Sequence, residues 1–210
     1  MARDWARYNT KYAVVGGCTL NYQLSRFWEN IWLTIVDLSP VGDAYRKKGL
    51  APAGDRVKMC QLAVNTSNHG SHFTMVDTWE ALQREYQPTA IVLDHFDYEI
   101  NERLGGIDDG TGNKVRAKIA LLGGADLVET FTQPGVWAKK DLEHMLCTCE
   151  YSHHIEIGQC IDGALDGAFI IERAGTDLED VMSRLEPKWR DNIHVIHQVT
   201  ACGHSKLFRC

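Results

Sequence analysis

Short β-branched segments alternate along this chain with longer segments in which apolar residues recur at helical spacing. The predicted strands cover residues 12 to 15, 73 to 76, 115 to 122 and 193 to 199. One predicted helix presents four apolar residues on a single face, namely Leu93, Phe96, Ile100 and Leu104. Regular alternation of strand and helix favours an α/β fold with a mostly parallel sheet. In such sheets, ligands gather at the carboxyl ends of the strands.

Two further helices carry start signals in the sequence. Asp55 is placed to cap a helix. The apolar face of that helix consists of Val57, Cys60 and Val64. Thr176 and Glu179 form a capping box for a later helix. Its apolar side is made of Leu178, Val181, Met182 and Leu185. Residues 105 to 113 are rich in glycine, which predicts a flexible loop.

Composition predicts one intracellular domain. A chain of 210 residues, 44% of them hydrophobic, can bury a single core. The net charge of −6 argues against a general nucleic-acid or anionic-membrane surface, so any phosphate must be bound by local cations. The charged N-terminus predicts no secretory signal, and the apolar part of residues 27 to 36 is too short to span a bilayer. Seven cysteines, an odd number, then indicate a reducing location, either nuclear or cytoplasmic.

The segment LSPVGDAYRKKGL, residues 38 to 50, gathers a turn, an aromatic residue and three adjacent cations where a strand should be ending. Arg46, Lys47 and Lys48 can neutralise phosphate, and Gly49 lets the backbone turn. An isolated run of three cations is more often a solvated loop than a binding site. The surrounding residues SPVGDAY favour the binding site.

Two other strand ends carry residues suited to a nucleotide. Trp79, in VDTWE, places an indole where its face can attract a cationic group of a ligand, although a lone tryptophan is more often a core residue. Gly124 permits close approach of a ligand to the backbone, and Asp126 can accept a hydrogen bond from a ribose hydroxyl. A plain helix N-terminus explains Gly124 and Asp126 equally well.

Six segments, taken in order, carry a resemblance to a known family. They are LSPVGDAYRKKGL (38 to 50), VDTWE (76 to 80), LLGGADLVETF (121 to 131), DLEHML (141 to 146), GAFIIERAGTD (167 to 177) and WRDNIHVI (189 to 196). Together they resemble nicotinamide/nicotinate mononucleotide adenylyltransferases, especially the fungal ones. The resemblance implies a Rossmann-like nucleotidyltransferase fold and a transferase of NAD biosynthesis. Such an enzyme joins a pyridine mononucleotide to the AMP portion of ATP, with Mg²⁺, and releases pyrophosphate.

The resemblance also assigns roles to residues of this chain. It implies that Lys47 holds the mononucleotide phosphate and that Tyr45 and Lys48 line the substrate site. Trp79 and Trp137 would sandwich the nicotinamide ring. The nucleotide-binding set would comprise Gly124, Asp126, Ser205 and Lys206, of which the last two only partly match the family's C-terminal phosphate-binding segment. The choice between the amidated and the acidic mononucleotide stays open, as does a homo-oligomeric assembly.

The sequence also departs from the family pattern. We expect a single domain, residues 1 to 210, that is truncated at both ends and lacks the family's first strand, glycine loop and histidine, so that 12 to 15 would be the second strand. The catalytic residue is therefore unknown. Residues 18 to 37 and 147 to 166 look like insertions, which we expect to be poorly packed excursions translated from non-coding sequence. For the chain as written, we expect little or no adenylyl transfer.

Two alternatives follow from these departures. The first is a non-catalytic nucleotide-binding remnant that keeps the pyridine pocket. The second is a metal-binding or partner-binding surface built from the insertions, because the second insertion contains five candidate zinc ligands, namely Cys147, Cys149, His153, His154 and Cys160. Their spacing is not one that structural zinc sites use, so we assign no metal site.

Overall fold

A computed structural model describes residues 12–16, 35–66, 74–108, 112–146, 165, 167–172 and 177–196. Its strands are β1 (Tyr12–Gly16), β2 (Ile35–Leu38), β3 (Thr74–Val76), β4 (Ile107–Asp108), β5 (Lys114–Val115), β6 (Lys118–Gly124), β7 (Ala168–Ile171) and β8 (Ile193–Ile196). Its α-helices are α1 (Ala53–Thr66), α2 (Thr89–Asp97), α3 (Ala125–Phe131), α4 (Lys139–Leu146), α5 (Leu178–Arg184) and α6 (Pro187–Arg190). Two 3₁₀ turns (Asp43–Tyr45 and Glu80–Leu82) and a π-helix (Tyr98–Arg103) complete the described elements.

Six of these strands form one parallel sheet in the order β3-β2-β1-β6-β7-β8. This order is that of a doubly wound nucleotide-binding sheet, and it confirms the predicted α/β class. Leu38 at the end of β2 pairs with Gly16 and with Val76, and Gly124 at the end of β6 pairs with Ile171. The strands therefore end along one side of the sheet, which we call the carboxyl edge.

The expected loss of the first strand is not confirmed. Residues 12 to 15 are part of β1, which lies in the centre of the sheet between β2 and β6 rather than in the second strand's position. The second position is taken by β2, because Ile35 and Val36, within the first predicted insertion, form an additional β-branched run. The residues that follow β1 lie outside the described part of the chain, so the expected lack of a glycine loop stays a prediction.

The expectation that the two predicted insertions are poorly packed is wrong at their C-terminal ends. Residues 35 to 37 belong to β2, and the side chains of Val36 and Asp37 are buried. Leu165, near the end of the second predicted insertion, is also buried in the main core. The remaining residues of both insertions, 18 to 34 and 147 to 164 with 166, lie outside the described residues, as do all five candidate zinc ligands.

The chain returns from the second insertion to the place where it departed. The backbone N–H of Leu165 donates to the carbonyl of His144 over 3.3 Å, and that of Gly167 donates to Met145 over 3.1 Å. The end of α4 and the start of β7 are thus direct neighbours. A short connection between them would be sufficient, as the family pattern implies.

The main core lies between the sheet and the helices on one of its faces. The predicted apolar face is confirmed for Leu93 and Phe96 in α2 and for Ile100 in the π-helix that follows, all of which are almost completely buried. The predicted strand over 115 to 122 is wrong at its start, because Val115 belongs to the hairpin of β4 and β5. The buried amide of Asn101 separates β5 from β6: it donates to the carbonyl of Ala117 over 2.9 Å and accepts from the Ala117 N–H over 2.7 Å.

The last predicted helix and strand are also present. The apolar side of α5 is confirmed by the burial of Leu178, Val181 and Leu185. Its cap is Asp177, whose carboxylate accepts from the Asp180 N–H over 3.0 Å, whereas Thr176 lies outside the described residues. The final strand, β8, is described from Ile193 to Ile196. In the part of the chain that the structure describes, no helix is long and apolar enough to cross a bilayer.

Candidate functional site

The loop after β2 presents the three adjacent cations at the carboxyl edge. Arg46 adopts a left-handed conformation with φ of 52°, and its N–H donates to the Asp43 carbonyl over 3.1 Å. A second turn follows, in which Leu50 N–H donates to the Lys47 carbonyl over 3.1 Å and Gly49 has φ of 79°. Such a turn requires positive φ at its third residue, which explains the glycine. We call residues 46–49 the basic turn; its cationic side chains are exposed.

One aspartate ties the basic turn to α1. The carboxylate of Asp43 accepts a hydrogen bond from the Ala53 N–H over 2.7 Å, at the first residue of the helix. Asp55, which the sequence analysis had proposed as the cap, lies inside the first turn of α1 instead. That prediction is wrong because the capping oxygen comes from ten residues away, and a local start signal cannot reveal such a contact.

The loop after β2 packs against the segment that follows β3. The N–H of Asp77 donates to the Leu38 carbonyl over 3.0 Å and so extends the pairing of the two strands. A Cβ atom built on Gly42 would lie 3.0 Å from the Glu80 carbonyl oxygen, so glycine permits this close approach. The rings of Tyr45 and Tyr86 stack with their centroids 5.5 Å apart. These contacts place two of the predicted substrate-binding segments side by side.

Trp79 is half-buried in the segment after β3 and stacks on an imidazole. Its ring and that of His95, from α2, lie 4.1 Å apart between centroids and are nearly parallel, at 11°. His95 therefore covers one face of the indole. The position matches the ligand-platform interpretation of Trp79 as well as the core interpretation, because the side chain also packs on the main core.

A buried carboxylate lies next to Trp79. Glu80 accepts a hydrogen bond from the Ser39 hydroxyl over 2.6 Å, and both side chains are buried. Burial raises the pKa of Glu80, the Ser39 hydrogen bond and the charge of Arg56 lower it, and the charge of Asp77 raises it further. The net effect is a raised pKa, so the folded protein holds the proton of Glu80 more tightly than the unfolded chain does.

We expect Glu80→Gln to stabilise the protein at neutral pH. Because the pKa of Glu80 is raised from 4.5, wild-type stability falls as the pH rises through the folded-state pKa, whereas glutamine does not titrate. Urea unfolding should show that Glu80→Gln is more stable than wild type at pH 7 and that the difference shrinks as the pH falls towards 4. Glu143→Gln is a control of opposite sign, since Lys188 lowers the pKa of Glu143. A pH-independent loss of stability in Glu80→Gln would contradict the prediction.

The remaining predicted site residues are distributed along the same edge and beyond it. Gly124 is buried at the end of β6 and precedes α3, and Asp126 is exposed in the first turn of that helix. Trp137 is half-buried; its indole N–H donates to the Thr130 hydroxyl over 2.8 Å, and its ring packs edge-on against Phe131. Ser205 and Lys206 lie outside the described residues. That Lys47, Trp79, Asp126 and Trp137 converge on one cleft stays a prediction.

Sequence reasoning missed four residues of this region. No sequence pattern indicated His95, Glu80 or Tyr86, because the role of each is defined by a contact with a residue distant in the chain. A sequence pattern did indicate Arg56. It lies between Ala53 and Cys60 on the buried side of α1, where a charged residue needs a partner.

Taken together, the sheet order and the polar loops at its carboxyl edge define a Rossmann-like α/β protein. A solved structure of Plasmodium falciparum nicotinic acid mononucleotide adenylyltransferase complexed with NaAD has a similar fold, with a TM-score of 0.55 and 16% identity over 90% of this chain and 75% of that one. No protein-family model matches the chain.

Sequence comparison gives closer relatives. The chain is 43% identical over 176 residues to the nicotinamide/nicotinic acid mononucleotide adenylyltransferase of Schizosaccharomyces pombe, covering 81% of the chain and 41% of the relative. Two such proteins of Saccharomyces cerevisiae are 37% and 38% identical over 95% of the chain, which covers 40% and 41% of their lengths. The chain therefore belongs to the nicotinamide/nicotinic acid mononucleotide adenylyltransferase family. It spans about two fifths of the length of these fungal relatives.

Proposed function

We propose that this protein is a nicotinamide-nucleotide adenylyltransferase of NAD biosynthesis. It would convert ATP and a pyridine mononucleotide, amidated or acidic, to NAD or deamido-NAD and pyrophosphate. The names of the fungal relatives support this activity. The observation that carries it is the packing of the loop after β2, which carries the basic turn, against the Trp79 segment. The Asp77 to Leu38 hydrogen bond and the Ser39 to Glu80 hydrogen bond join the start of that loop to the segment. A phosphate-binding and a pyridine-binding element then lie next to each other.

The two elements suit the two ends of a mononucleotide. The ammonium groups of Lys47 and Lys48 are exposed and can neutralise its phosphate. With His95 on one face, the other face of Trp79 is the one that could receive the cationic ring. Trp137 would close the ring from the opposite side, and Tyr45 would line the entrance. At the next strand end, the backbone at Gly124 and the carboxylate of Asp126 would contact the nucleotide, as in other sheets of this kind.

The reaction needs positioning more than a covalent group. An oxygen of the mononucleotide phosphate would attack the α-phosphorus of ATP in line, and the bond from that phosphorus to the bridging oxygen would break, so that pyrophosphate leaves. Reactions of this kind are accelerated by alignment and by neutralisation of charge. The basic turn would hold the attacking phosphate, and Trp79 would fix the other end of the same molecule.

Mg²⁺ is expected to enter with ATP. Among the described residues, no group of three or more His, Cys, Asp or Glu side chains could hold a metal ion. Mg²⁺ commonly keeps several waters and binds mainly through substrate phosphates. We therefore assign it to the triphosphate.

A second candidate is a nucleotide-binding protein of this family without catalytic activity. It is favoured by the type of residue in the described site, because the basic turn and Trp79 are binding groups. The residues that the family resemblance assigns to the triphosphate, Ser205 and Lys206, lie outside the described part of the chain. Whether the protein forms a homo-oligomer stays open, and the predicted nuclear or cytoplasmic location rests on the sequence alone.

One experiment separates the two candidates. The chain is incubated with ATP, Mg²⁺ and nicotinamide mononucleotide, and NAD is measured by reduction with alcohol dehydrogenase, while calorimetry measures mononucleotide binding. NAD formation above a no-enzyme control supports the adenylyltransferase. Binding without NAD formation supports the non-catalytic protein. If the chain neither binds the mononucleotide nor forms NAD, both proposals fail.

A further inference from the structure

Arg56 is a buried cation directly behind the basic turn. Its Nε donates to the Ala51 carbonyl over 2.8 Å, and its Nη2 donates to the Asp43 carboxylate over 3.3 Å. Only 8% of the residue is exposed, although it lies in the first part of a surface helix. A buried guanidinium retains its charge, so it needs these acceptors to offset desolvation.

These contacts fix both ends of the loop that carries the basic turn. Asp43 begins the 3₁₀ turn before Arg46, and Ala51 follows the Leu50 N–H that closes the second turn. Between those points the backbone is held by short-range turn hydrogen bonds, and the side chains face solvent. Arg56 therefore connects the two ends of an exposed loop to the rigid start of α1.

The same guanidinium acts on the Trp79 side of the site. The charge of Arg56 is one of the groups that lower the pKa of Glu80, so the two side chains are electrostatically coupled. Glu80 accepts from Ser39, the first residue after β2, and follows Trp79 directly in sequence. Arg56 is thus hydrogen-bonded to the loop that carries the basic turn and electrostatically coupled to the residue that follows Trp79.

We propose that Arg56 is a positioning residue for phosphate recognition. It holds the basic turn in the arrangement in which Lys47 and Lys48 receive the phosphate of the mononucleotide, without contacting that phosphate itself. The inference rests on the proposed function, because it takes a mononucleotide as the ligand. Its signature is selectivity: loss of Arg56 should weaken binding of the phosphorylated ligand and leave binding of the matching nucleoside unchanged.

The test compares nicotinamide mononucleotide with nicotinamide riboside, which lacks the phosphate, by calorimetry on the full chain. We expect Arg56→Gln to raise the Kd for the mononucleotide on the order of tenfold and to change that for the riboside less than about twofold, because misplaced cations lose their alignment with the phosphate. Arg56→Lys keeps the charge but not the two-armed donor geometry. Its Kd for the mononucleotide should therefore lie between those of wild type and Arg56→Gln. Arg184→Gln, an exposed arginine paired with Asp180 within α5, is the control and should match wild type.

Hydrogen exchange measured by mass spectrometry supplies a readout that does not depend on ligand. Peptides covering residues 44 to 53 should exchange at least several-fold faster in Arg56→Gln, with the peptides of β6 unchanged. If Arg56→Gln does not fold, Asp43→Asn, which alters the exposed partner, carries the same two measurements. The proposal would be overturned if Arg56→Gln weakened the binding of both ligands equally, or if hydrogen exchange of residues 44 to 53 were unchanged. If wild type binds the two ligands equally, the proposed function fails, and the exchange data then decide the positioning role alone.

Discussion

Replacing Gly167 with alanine should lower the free energy of unfolding by about 3 kcal/mol or more. Gly167 has φ of 87°, and a Cβ atom built on it would lie 2.2 Å from the carbonyl oxygen of Asn192. That oxygen accepts a hydrogen bond from Ala168 N–H over 2.9 Å, so it cannot move away without breaking the pairing of β7 with β8. Backbone strain and steric overlap therefore add to each other.

Gly135→Ala is the matched control for this substitution. Gly135 has a similar φ of 78°, but a Cβ atom there would have no neighbour within 4 Å. It should therefore cost about 1 kcal/mol, from the conformation alone. Urea unfolding of the two variants separates strain from overlap. Equal losses in the two variants would show that the close approach at Asn192 contributes nothing.

The Gly167→Ala substitution should also disturb the backbone of the candidate site. The carbonyl of Gly167 accepts from Leu121 N–H over 3.0 Å, so the residue joins the start of β7 to the middle of β6. The same register pairs Gly124 with Ile171 at the carboxyl edge. A shift of β7 against β6 would move the backbone at Gly124, and with it the proposed nucleotide contact.

The strands and helices near the candidate site were predictable because their signals are local. The faces of α2 and α5 follow from apolar spacing, and the basic turn follows from a strand end, three cations and Gly49. The position of β1 was not predictable in this way. Periodicity identifies a strand but not its neighbours, and the central place of Tyr12–Gly16 depends on the presence of a second run at Ile35–Leu38.

Other parts of the site depend on contacts between distant residues. Asp43 caps α1 from ten residues away, Ser39 and Glu80 are 41 positions apart, and Asn101 bonds to Ala117 across 16 positions. A sequence pattern can indicate that a buried polar residue such as Arg56 needs a partner, but it does not say which one. The identity of the partner is decided by how the sheet aligns its strand ends.

We expect Trp79→Ala to weaken binding of nicotinamide mononucleotide by roughly 2- to 30-fold, since a cation above an indole contributes about 0.5–2 kcal/mol. The prediction follows from the position of Trp79 at the carboxyl edge, with His95 on one face of its ring. Calorimetry on both proteins measures the loss. Ribose 5-phosphate, which has the sugar and phosphate without the pyridine, should bind both proteins equally.

The reduced mononucleotide tests the physical origin of that loss, because its dihydropyridine ring carries no positive charge. If the indole attracts the charge of the ring, wild type should prefer the oxidised form over the reduced form by several-fold, and Trp79→Ala should abolish this preference. Trp79→Phe should keep part of it, because a phenyl ring attracts cations more weakly than an indole does. If Trp79→Ala still prefers the oxidised form, another group recognises the charge of the ring. The interpretation of Trp79 as a core residue would then be preferred.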